Sequence, residues 1–292
     1  MQFQSLASGS NGNCSVWDTP NGAIIFDAGI SRTRIIKGLN NLDVEAKSVK
    51  YIFITHAHWD HVNGLPVLMN YLENARVVAT SQTINELTKL KKNDIRYQNI
   101  ANKAIPVEFD DTIELSNRFS VSCFPAEHDI AGASGFQIKH KKSDFTVSYI
   151  TDTASLSLDF VDAMSHSDIF FLESNHDLEL LNKSRRPYWL KQRIKSTHLS
   201  NNKFLHLAKQ IISDRTKVVY LGHLSGECND EFIVAEQMKK FTKVQPVNWV
   251  VCTRSRESAK FISTKFGFEI QGGLTNINDD RIKSDHSLAS FF

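Results

Sequence analysis

This sequence contains few cysteines, little excess charge and no long apolar run. Its four cysteines lie far apart, at positions 14, 123, 228 and 252, and no two of them form a C-x-x-C pair. This spacing indicates neither a disulfide framework nor a zinc site built from thiolates, so we interpret them as small, semi-buried apolar side chains. The 34 basic and 32 acidic residues leave a net charge of only +2. A polyanion would therefore have to be bound locally, because bulk charge is too small to hold it.

The sequence also lacks the pattern of a membrane protein. Its first residues do not show a basic region followed by an apolar one, and no stretch reaches the roughly 18 apolar residues that a membrane helix needs. We expect a cytoplasmic protein that has no membrane partner. Nothing in the sequence indicates its oligomeric state.

Apolar runs that predict strands alternate with segments whose apolar residues recur at helical spacing. Strands are predicted at residues 14–17, 23–26, 49–54, 75–79, 119–124, 145–150, 169–172, 218–221 and 248–252. Helices are predicted at residues 63–73, 81–91, 201–213 and 230–241. This α/β layout shows no repeat or linker, so we assign residues 1–252 to one domain. Residues 253–292 contain one helix candidate, at 255–265, and either pack on the same domain or end in a loose tail.

Residue types that bind metals are concentrated in one short segment after a predicted strand. His56, His58, Asp60 and His61 lie within six residues, directly after the apolar run 49–54. Histidine and carboxylate side chains bind divalent transition metals, and a tight loop can direct them to two ions about 3.5 to 4 Å apart. The spacing therefore predicts a site for two metal ions.

Three further candidate ligands each follow another apolar run, and they are His128, Asp152 and His223. Taken alone, Asp152 could cap a strand end, and His223 could be a core histidine bonded to the backbone. Because the strand-then-ligand order recurs four times, we favour ligation for all three.

The seven candidates resemble the ligand set of the metallo-β-lactamase superfamily. Its fold is an αββα sandwich, in which two mixed β-sheets are flanked by helices and the metals lie at one rim. The resemblance implies that one divalent ion is bound by His56, His58 and His128. It implies that a second ion is bound by Asp60, His61 and His223, with Asp152 bridging the two. Zinc and manganese both suit such ligands.

A closer resemblance is to the WalJ/YycJ group of this superfamily, described as 5′ to 3′ exonucleases. The segments that carry it are residues 5–14, 173–177, 185–194, 198–201 and 222–225. In the related RNase Z, motifs at the places of Glu173 with His176 and of His198 with Ser200 assist the phosphate. Similarity implies that His198 binds phosphate or protonates the leaving group, and that His176 or Glu173 orients it. The candidate catalytic residues are Asp60, Asp152, Glu173, His176 and His198.

A basic and aromatic segment lies between the last two candidate ligands. Six of the thirteen residues from 183 to 195 are basic and none is acidic. Basic groups pair with phosphate oxygens and aromatic faces stack on bases, which suits a single strand or a fraying duplex end. The candidate substrate-binding residues are Arg185, Arg186, Tyr188, Trp189, Lys191, Arg193 and Ser200. The alternative is a solvated helix face whose aromatic residues pack inward.

Together these features predict a dinuclear metal-dependent phosphodiesterase that uses a metal-bound hydroxide. We expect a 5′ to 3′ exonuclease whose partner is nucleic acid, with DNA favoured over RNA. A small-molecule or cyclic-nucleotide phosphodiesterase of the same fold is the first alternative, because one phosphate could use the same basic groups. A non-catalytic nucleic-acid-binding module is the second, and the seven intact ligands argue against it.

Overall fold

A computed structural model of the protein describes residues 1–90, 94–242 and 247–272, and in it the strands form two facing sheets. The strands are β1 (Gln2–Ala7), β2 (Cys14–Thr19), β3 (Gly22–Phe26), β4 (Val49–Phe53), β5 (Arg76–Thr80), β6 (Ile105–Val107), β7 (Thr112–Glu114), β8 (Phe119–Pro125), β9 (Ser134–His140), β10 (Phe145–Tyr149), β11 (Ile169–Glu173), β12 (Val218–Gly222), β13 (Asn248–Val251), β14 (Lys260–Thr264) and β15 (Gly267–Gln271). The helices are α1 (Arg32–Asn41), α2 (Trp59–Val62), α3 (Leu65–Met69), α4 (Ser81–Lys89), α5 (Ile95–Lys103), α6 (Leu158–Ser165), α7 (Leu178–Lys183), α8 (Tyr188–Thr197), α9 (Asn201–Ile211) and α10 (Glu231–Thr242).

The layers follow the order helices, sheet, sheet, helices. The first sheet has the strand order β15-β14-β1-β2-β3-β4-β5-β6, and the second has the order β13-β12-β11-β10-β9-β8-β7. Apolar residues of α1, α3, α4 and α5 cover the outer face of the first sheet, and those of α6, α9 and α10 cover the outer face of the second. The predicted αββα sandwich is therefore confirmed.

Alternating side chains of each inner strand reach two different cores. In β3, Ile24 and Phe26 belong to the core between the sheets, whereas Ala23 and Ile25 belong to the core under the helices. Strand side chains alternate between faces, so both sets are apolar in a strand covered on both sides. Phe26 meets Tyr149 of the opposite sheet with ring centroids 4.5 Å apart. Burying each such side chain stabilises the fold by roughly 1.5–3 kcal/mol.

The strand directions bring the ends of several strands to one rim. Strands β3 to β6 are parallel to one another, and so are β10 to β13. Strand β8 runs in the direction of β10 because both are antiparallel to β9. The residues that follow β3, β4, β8, β10, β11 and β12 can therefore meet at a common edge, which is where the predicted ligands occur.

The helix predicted at residues 63–73 is shorter in the structure: α3 covers Leu65–Met69, and the separate short helix α2 ends at Val62, before the predicted range. The backbone N–H of Gly64 between them donates to the carbonyl of Ala28 at 2.8 Å. A Cβ at Gly64 would lie 2.0 Å from the carbonyl oxygen of Ile30, so the chain turns at a point of close backbone approach. Pro66 then lies in the first turn of α3, where its missing N–H costs no helical hydrogen bond.

The helix predicted at residues 255–265 is wrong, because part of this segment is strand β14. β14 pairs with β15 and with β1, which would be the edge of the first sheet without it, so strand pairing outweighs the local helical spacing. Phe261 is buried against the core between the sheets. Residues 276–292, which we interpreted as a loose tail, and residue 91 of a predicted helix lie outside the described residues.

The cysteines are unpaired, and the described helices are unlike membrane-spanning ones. All four cysteines are buried free thiols, as their spacing predicted. Every helix in the described part of the chain is too short or too polar to cross a lipid bilayer.

Candidate metal centre

A short loop after β4 carries four of the predicted ligands. Thr55 fixes its start, because its backbone N–H and its hydroxyl both donate to the buried carboxylate of Asp27, at 2.9 and 3.0 Å. The backbone stays extended up to His58 and becomes helical in α2. His56 and His58, before this change, belong to one group of ligands, and Asp60 and His61, after it, belong to another.

The first group contains three histidines whose ring nitrogens converge. Nδ1 of His58 lies 3.1 Å from Nε2 of His56 and 3.1 Å from Nε2 of His128. The side chains of His56 and His128 are almost completely buried, whereas that of His58 is 31% exposed. The group therefore forms a pocket of imidazole nitrogens that opens to solvent beside His58.

The second group combines a carboxylate with two histidines. Oδ2 of Asp60 lies 3.5 Å from Nε2 of His61 and 3.6 Å from Nε2 of His223. Nε2 of His223 is buried and has no hydrogen-bond partner in the described part of the chain. An unpaired buried nitrogen that faces a carboxylate suits a metal ion, which would accept its lone pair.

Asp152 joins the two groups. Its Oδ2 lies 3.3 Å from Nε2 of His61, 3.5 Å from Nε2 of His56 and 3.8 Å from Nε2 of His128. One carboxylate oxygen is thus within reach of both sets of histidines. The structure brings all seven predicted ligands together, in two clusters that share Asp152 and could each hold a metal ion.

The charges at the site favour bound cations. Burial alone would lower the pKa of His61 and of His223, but neighbouring carboxylates raise both well above the usual range. Burial alone would raise the pKa of Asp60 and of Asp152, but the same histidines lower both. Burial lowers the pKa of His56 well below its usual range and so keeps its lone pair free. Divalent metals bind ionised carboxylates and neutral imidazoles, so an ion bound here would take the place of the protons that the carboxylates hold on His61 and His223.

Sequence reasoning missed several residues that hold these ligands in place. Asp27 accepts a hydrogen bond from Nδ1 of His61 at 2.9 Å, and Nδ2 of Asn13 lies 3.0 Å from Nε2 of the same histidine. The hydroxyl of Thr55 lies 3.1 Å from Nδ1 of His56. Asp27 directly follows β3, as the other candidates follow their strands, and this signal could have identified it.

Glu173 connects the metal site to His198. Its Oε2 accepts a hydrogen bond from Nδ1 of His198 at 3.0 Å and lies 3.3 Å from Nδ1 of His223. Its Oε1 accepts from the backbone N–H groups of Thr153 and Leu199, at 2.6 and 2.9 Å. A carboxylate can only accept, so His198 donates from Nδ1 and keeps Nε2 free.

His176 and Ser200 are both buried, and their contacts differ from those that their predicted roles imply. Burial lowers the pKa of His176 to about 4, and Nδ1 of this residue lies 3.3 Å from the side-chain oxygen of Asn175. Within the described chain no hydrogen bond joins it to His198, so Glu173 is the residue that orients His198. Ser200 is buried, and its hydroxyl caps α9.

The part of the basic segment from Tyr188 onward lies in α8, which ends beside the first group of ligands. The carbonyl of Thr197, the last residue of α8, accepts a hydrogen bond from Nδ1 of His128 at 3.0 Å. Nε of Arg193 donates to Asp129 at 2.6 Å, and the other oxygen of Asp129 lies 3.3 Å from Nε2 of His128. The basic helix and the metal site are thus in direct contact.

The aromatic residues of α8 face solvent. Tyr188 is 77% exposed and Trp189 is 66% exposed, so the arrangement with inward-packed aromatic residues is not found. Arg185 is exposed as well. The remaining predicted contacts are bonded within the protein, Arg186 to Glu227 at 2.9 Å and Lys191 to the carbonyl of Asn182 at 2.7 Å.

Residues 23–224 match the family described as the beta-lactamase superfamily domain. The chain is 30% identical over 235 residues to Exodeoxyribonuclease WalJ of Streptococcus pneumoniae, with 78% of this chain and 83% of that protein covered. It is 30% identical over 231 residues to Exodeoxyribonuclease YycJ of Bacillus anthracis, with 78% and 84% covered.

A solved structure shares the fold at lower sequence identity. Zn²⁺-bound PqqB from Methylobacterium extorquens superposes with a TM-score of 0.65 at 14% identity, and 88% of this chain and 99% of that chain are covered. The sandwich is therefore a fold found in other proteins.

Proposed function

This chain belongs to the metallo-β-lactamase superfamily, and from that premise we propose that it is a metal-dependent phosphodiesterase that digests DNA from the 5′ end. The observation that carries the proposal is the contact between the metal site and the basic helix. Arg193 reaches His128 through Asp129, and Thr197 binds the same histidine directly. A phosphodiester held by α8 would lie beside the two clusters of ligands.

Two divalent ions, zinc or manganese, would complete the site. His56, His58 and His128 would hold one ion and Asp60, His61 and His223 the other, with Asp152 shared between them. When bound, such ions lower the pKa of water towards neutrality and neutralise charge on phosphate oxygens. Hydrolysis of a phosphodiester fits this ligand set.

The protein itself supplies the group that would assist the leaving oxygen. His198 is held by Glu173 through Nδ1 at 3.0 Å, and its side chain is 11% exposed. Its ring stands beside those of His128 and His223, with centroids 5.1 and 5.2 Å away. We assign this role to His198 in its doubly protonated form: Nδ1–H stays with Glu173, and Nε2–H would bind a phosphate oxygen or pass its proton to the departing 3′ oxygen.

The exposed side chains of α8 would bind the substrate. Tyr188 and Trp189 offer exposed ring faces on which unpaired bases can stack. The exposed Arg185 precedes α8 and Lys191 lies within it, and both carry positive charge that suits backbone phosphates, whereas Arg193 shares its charge with Asp129. The relatives named as exodeoxyribonucleases are 30% identical over most of the chain, which supports DNA as the substrate.

The direct test is digestion of end-labelled single- and double-stranded DNA and RNA with added manganese or zinc, and with a chelator. We expect stepwise shortening of DNA from the 5′ end that the chelator stops. Asp152→Ala should lose roughly 10³-fold or more of this activity, since it removes the carboxylate shared by both clusters. Asp162→Ala, an exposed aspartate of α6, is the matched control and should be fully active.

Two results would contradict the proposal. Near wild-type digestion by Asp152→Ala would show that the assigned site is not the active one. Metal-dependent hydrolysis of bis(p-nitrophenyl) phosphate or a cyclic nucleotide without cleavage of any polymer would instead identify a small-molecule phosphodiesterase.

A further inference from the structure

Arg254 lies across two loops at the edge of the metal site. A Cβ at Gly9 would lie 2.4 Å from Cγ of Arg254, and a Cβ at Gly226 would lie 1.5 Å from its Nη1. The arginine stem therefore rests on Gly9 and its guanidinium on Gly226, in space that any other residue at these positions would fill. Arg254 is exposed, and within the described residues no hydrogen bond or ion pair engages its guanidinium.

Two hydrogen bonds tie the backbone at Arg254 to the second group of ligands. The carbonyl of Thr253 accepts from the backbone N–H of Ser8 at 3.0 Å. The hydroxyl of Ser8 accepts from the backbone N–H of His223 at 2.7 Å and lies 3.3 Å from the side-chain oxygen of Asn13. The position of Arg254 is therefore fixed relative to His223.

Positive charge continues on both sides of Arg254. The turn beneath its guanidinium continues into Glu227, which pairs with Arg186 of the basic segment at 2.9 Å. Ser255, the next residue in the chain, lines an open cavity of about 440 Å³. Three basic side chains, Arg34, Lys37 and Arg256, and one acidic side chain, Glu257, also line this cavity. Of these, Arg256 is partly neutralised by Glu231 at 4.0 Å.

We propose that Arg254 binds a backbone phosphate of the nucleic acid beyond the scissile bond. It would extend the basic surface of α8 past His223 and towards the cavity lined by Arg34. The planar guanidinium can donate two parallel hydrogen bonds to a phosphate, and Gly226 beneath it leaves room for the strand to approach. This inference rests on the proposed function, because it concerns the same substrate.

The test measures DNA binding separately from DNA cleavage. A fluorescent single-stranded oligonucleotide is titrated with the Asp152→Ala protein, which should not digest it, at several salt concentrations. Adding Arg254→Ala should weaken binding roughly tenfold, as expected for loss of a charged hydrogen bond. It should also reduce the slope of log affinity against log salt by about 1. Arg254→Lys should restore the slope but only part of the affinity.

Gly226→Ala provides an independent test that leaves all charges in place. Its methyl group would displace the end of a flexible side chain, so we expect an affinity loss similar to that of Arg254→Ala with little effect on folding. Combining both substitutions should cause no further loss, because each removes the same contact. Arg118→Ala, an exposed arginine immediately before β8 and so at the far end of this strand from His128, should bind DNA like the parent protein.

The possible outcomes separate this inference from the proposed function. Unchanged affinity and salt slope in Arg254→Ala, while wild-type protein still digests DNA, would overturn the role of Arg254 and leave the nuclease proposal standing. Binding that depends on Arg254, without metal-dependent cleavage of any polymer, would support the role of Arg254 and overturn the nuclease proposal.

Discussion

Asp27 accepts a hydrogen bond from Nδ1 of His61 at 2.9 Å, and both side chains are completely buried. The carboxylate can only accept, so His61 keeps a proton on Nδ1, which leaves Nε2, beside Asp60 and Asp152, as the nitrogen that would bind a metal ion. The metal-binding form of His61 is therefore set by a residue that lies outside both clusters of ligands.

Asp27→Asn should weaken metal binding by roughly 10- to 100-fold. The amide nitrogen of the new side chain would face Nδ1 of His61 as a second donor, which favours the ring form with its proton on Nε2. A competition titration of zinc against a chromophoric chelator measures this loss. Asp43→Asn is the matched control, since Asp43 has a similar positive φ of 55° but is exposed. Equal zinc affinity in Asp27→Asn and wild type would rule out this orienting role.

His198→Ala should affect substrates according to their leaving groups. Loss of a proton donor should lower kcat on DNA by roughly 10²-fold or more, because an alkoxide leaves poorly without a proton. Hydrolysis of bis(p-nitrophenyl) phosphate should fall much less, since p-nitrophenolate leaves readily as an anion. Glu173→Gln should show the same pattern more weakly, and His206→Ala, an exposed histidine, should show neither effect. Equal losses on the two substrates would argue against proton donation.

Tyr188→Ala and Trp189→Ala should weaken DNA binding without destabilising the protein. A stacked base contributes about 1–3 kcal/mol, so each substitution should raise the Kd for single-stranded DNA by roughly 5- to 100-fold. The melting temperature should change little, because the two side chains are 77% and 66% exposed. Phe266→Ala provides a matched control, as this aromatic residue is 95% exposed in the turn between β14 and β15. Unchanged affinity in both variants would show that the two aromatic side chains of α8 do not bind DNA.

His176 should make the protein less stable as the pH falls. Burial lowers its pKa to about 4 from an ordinary value of 6.5, so between these values the unfolded chain binds a proton that the folded protein does not. The free energy of unfolding should therefore fall by about 3 kcal/mol from pH 6.5 to pH 4 through this residue and stay constant below that window.

Urea unfolding of wild type and His176→Gln at several pH values isolates this contribution. The difference between the two proteins should change across the window from pH 6.5 to pH 4 and be constant above it. His206→Gln should follow wild type throughout. Parallel curves for wild type and His176→Gln would show that His176 is not held neutral by burial.

Strands with strong apolar runs could be predicted from the sequence, whereas segments that depend on a partner could not. β11 and β12 were found because they are buried along their whole length and consist almost entirely of apolar residues. β14 was taken for a helix, because its structure depends on pairing with β1, which lies more than 250 residues away. The helix expected at residues 63–73 begins only at Leu65 and ends at Met69, and the close contact of Gly64 with Ile30 that precedes it is one that no local pattern indicates.

The sequence by itself determined the ligand types and their order after the strands. His56, His58 and Asp60 are neighbours in the chain, so their spacing alone indicated a shared site. Only the tertiary structure decided which residues orient the ligands and where substrate can lie. Asp27 meets His61, Glu173 meets His198, and Arg254 meets Gly9 only after the sheets have formed. These pairs are distant in sequence, and their contacts arise from the packing of strand ends at one rim.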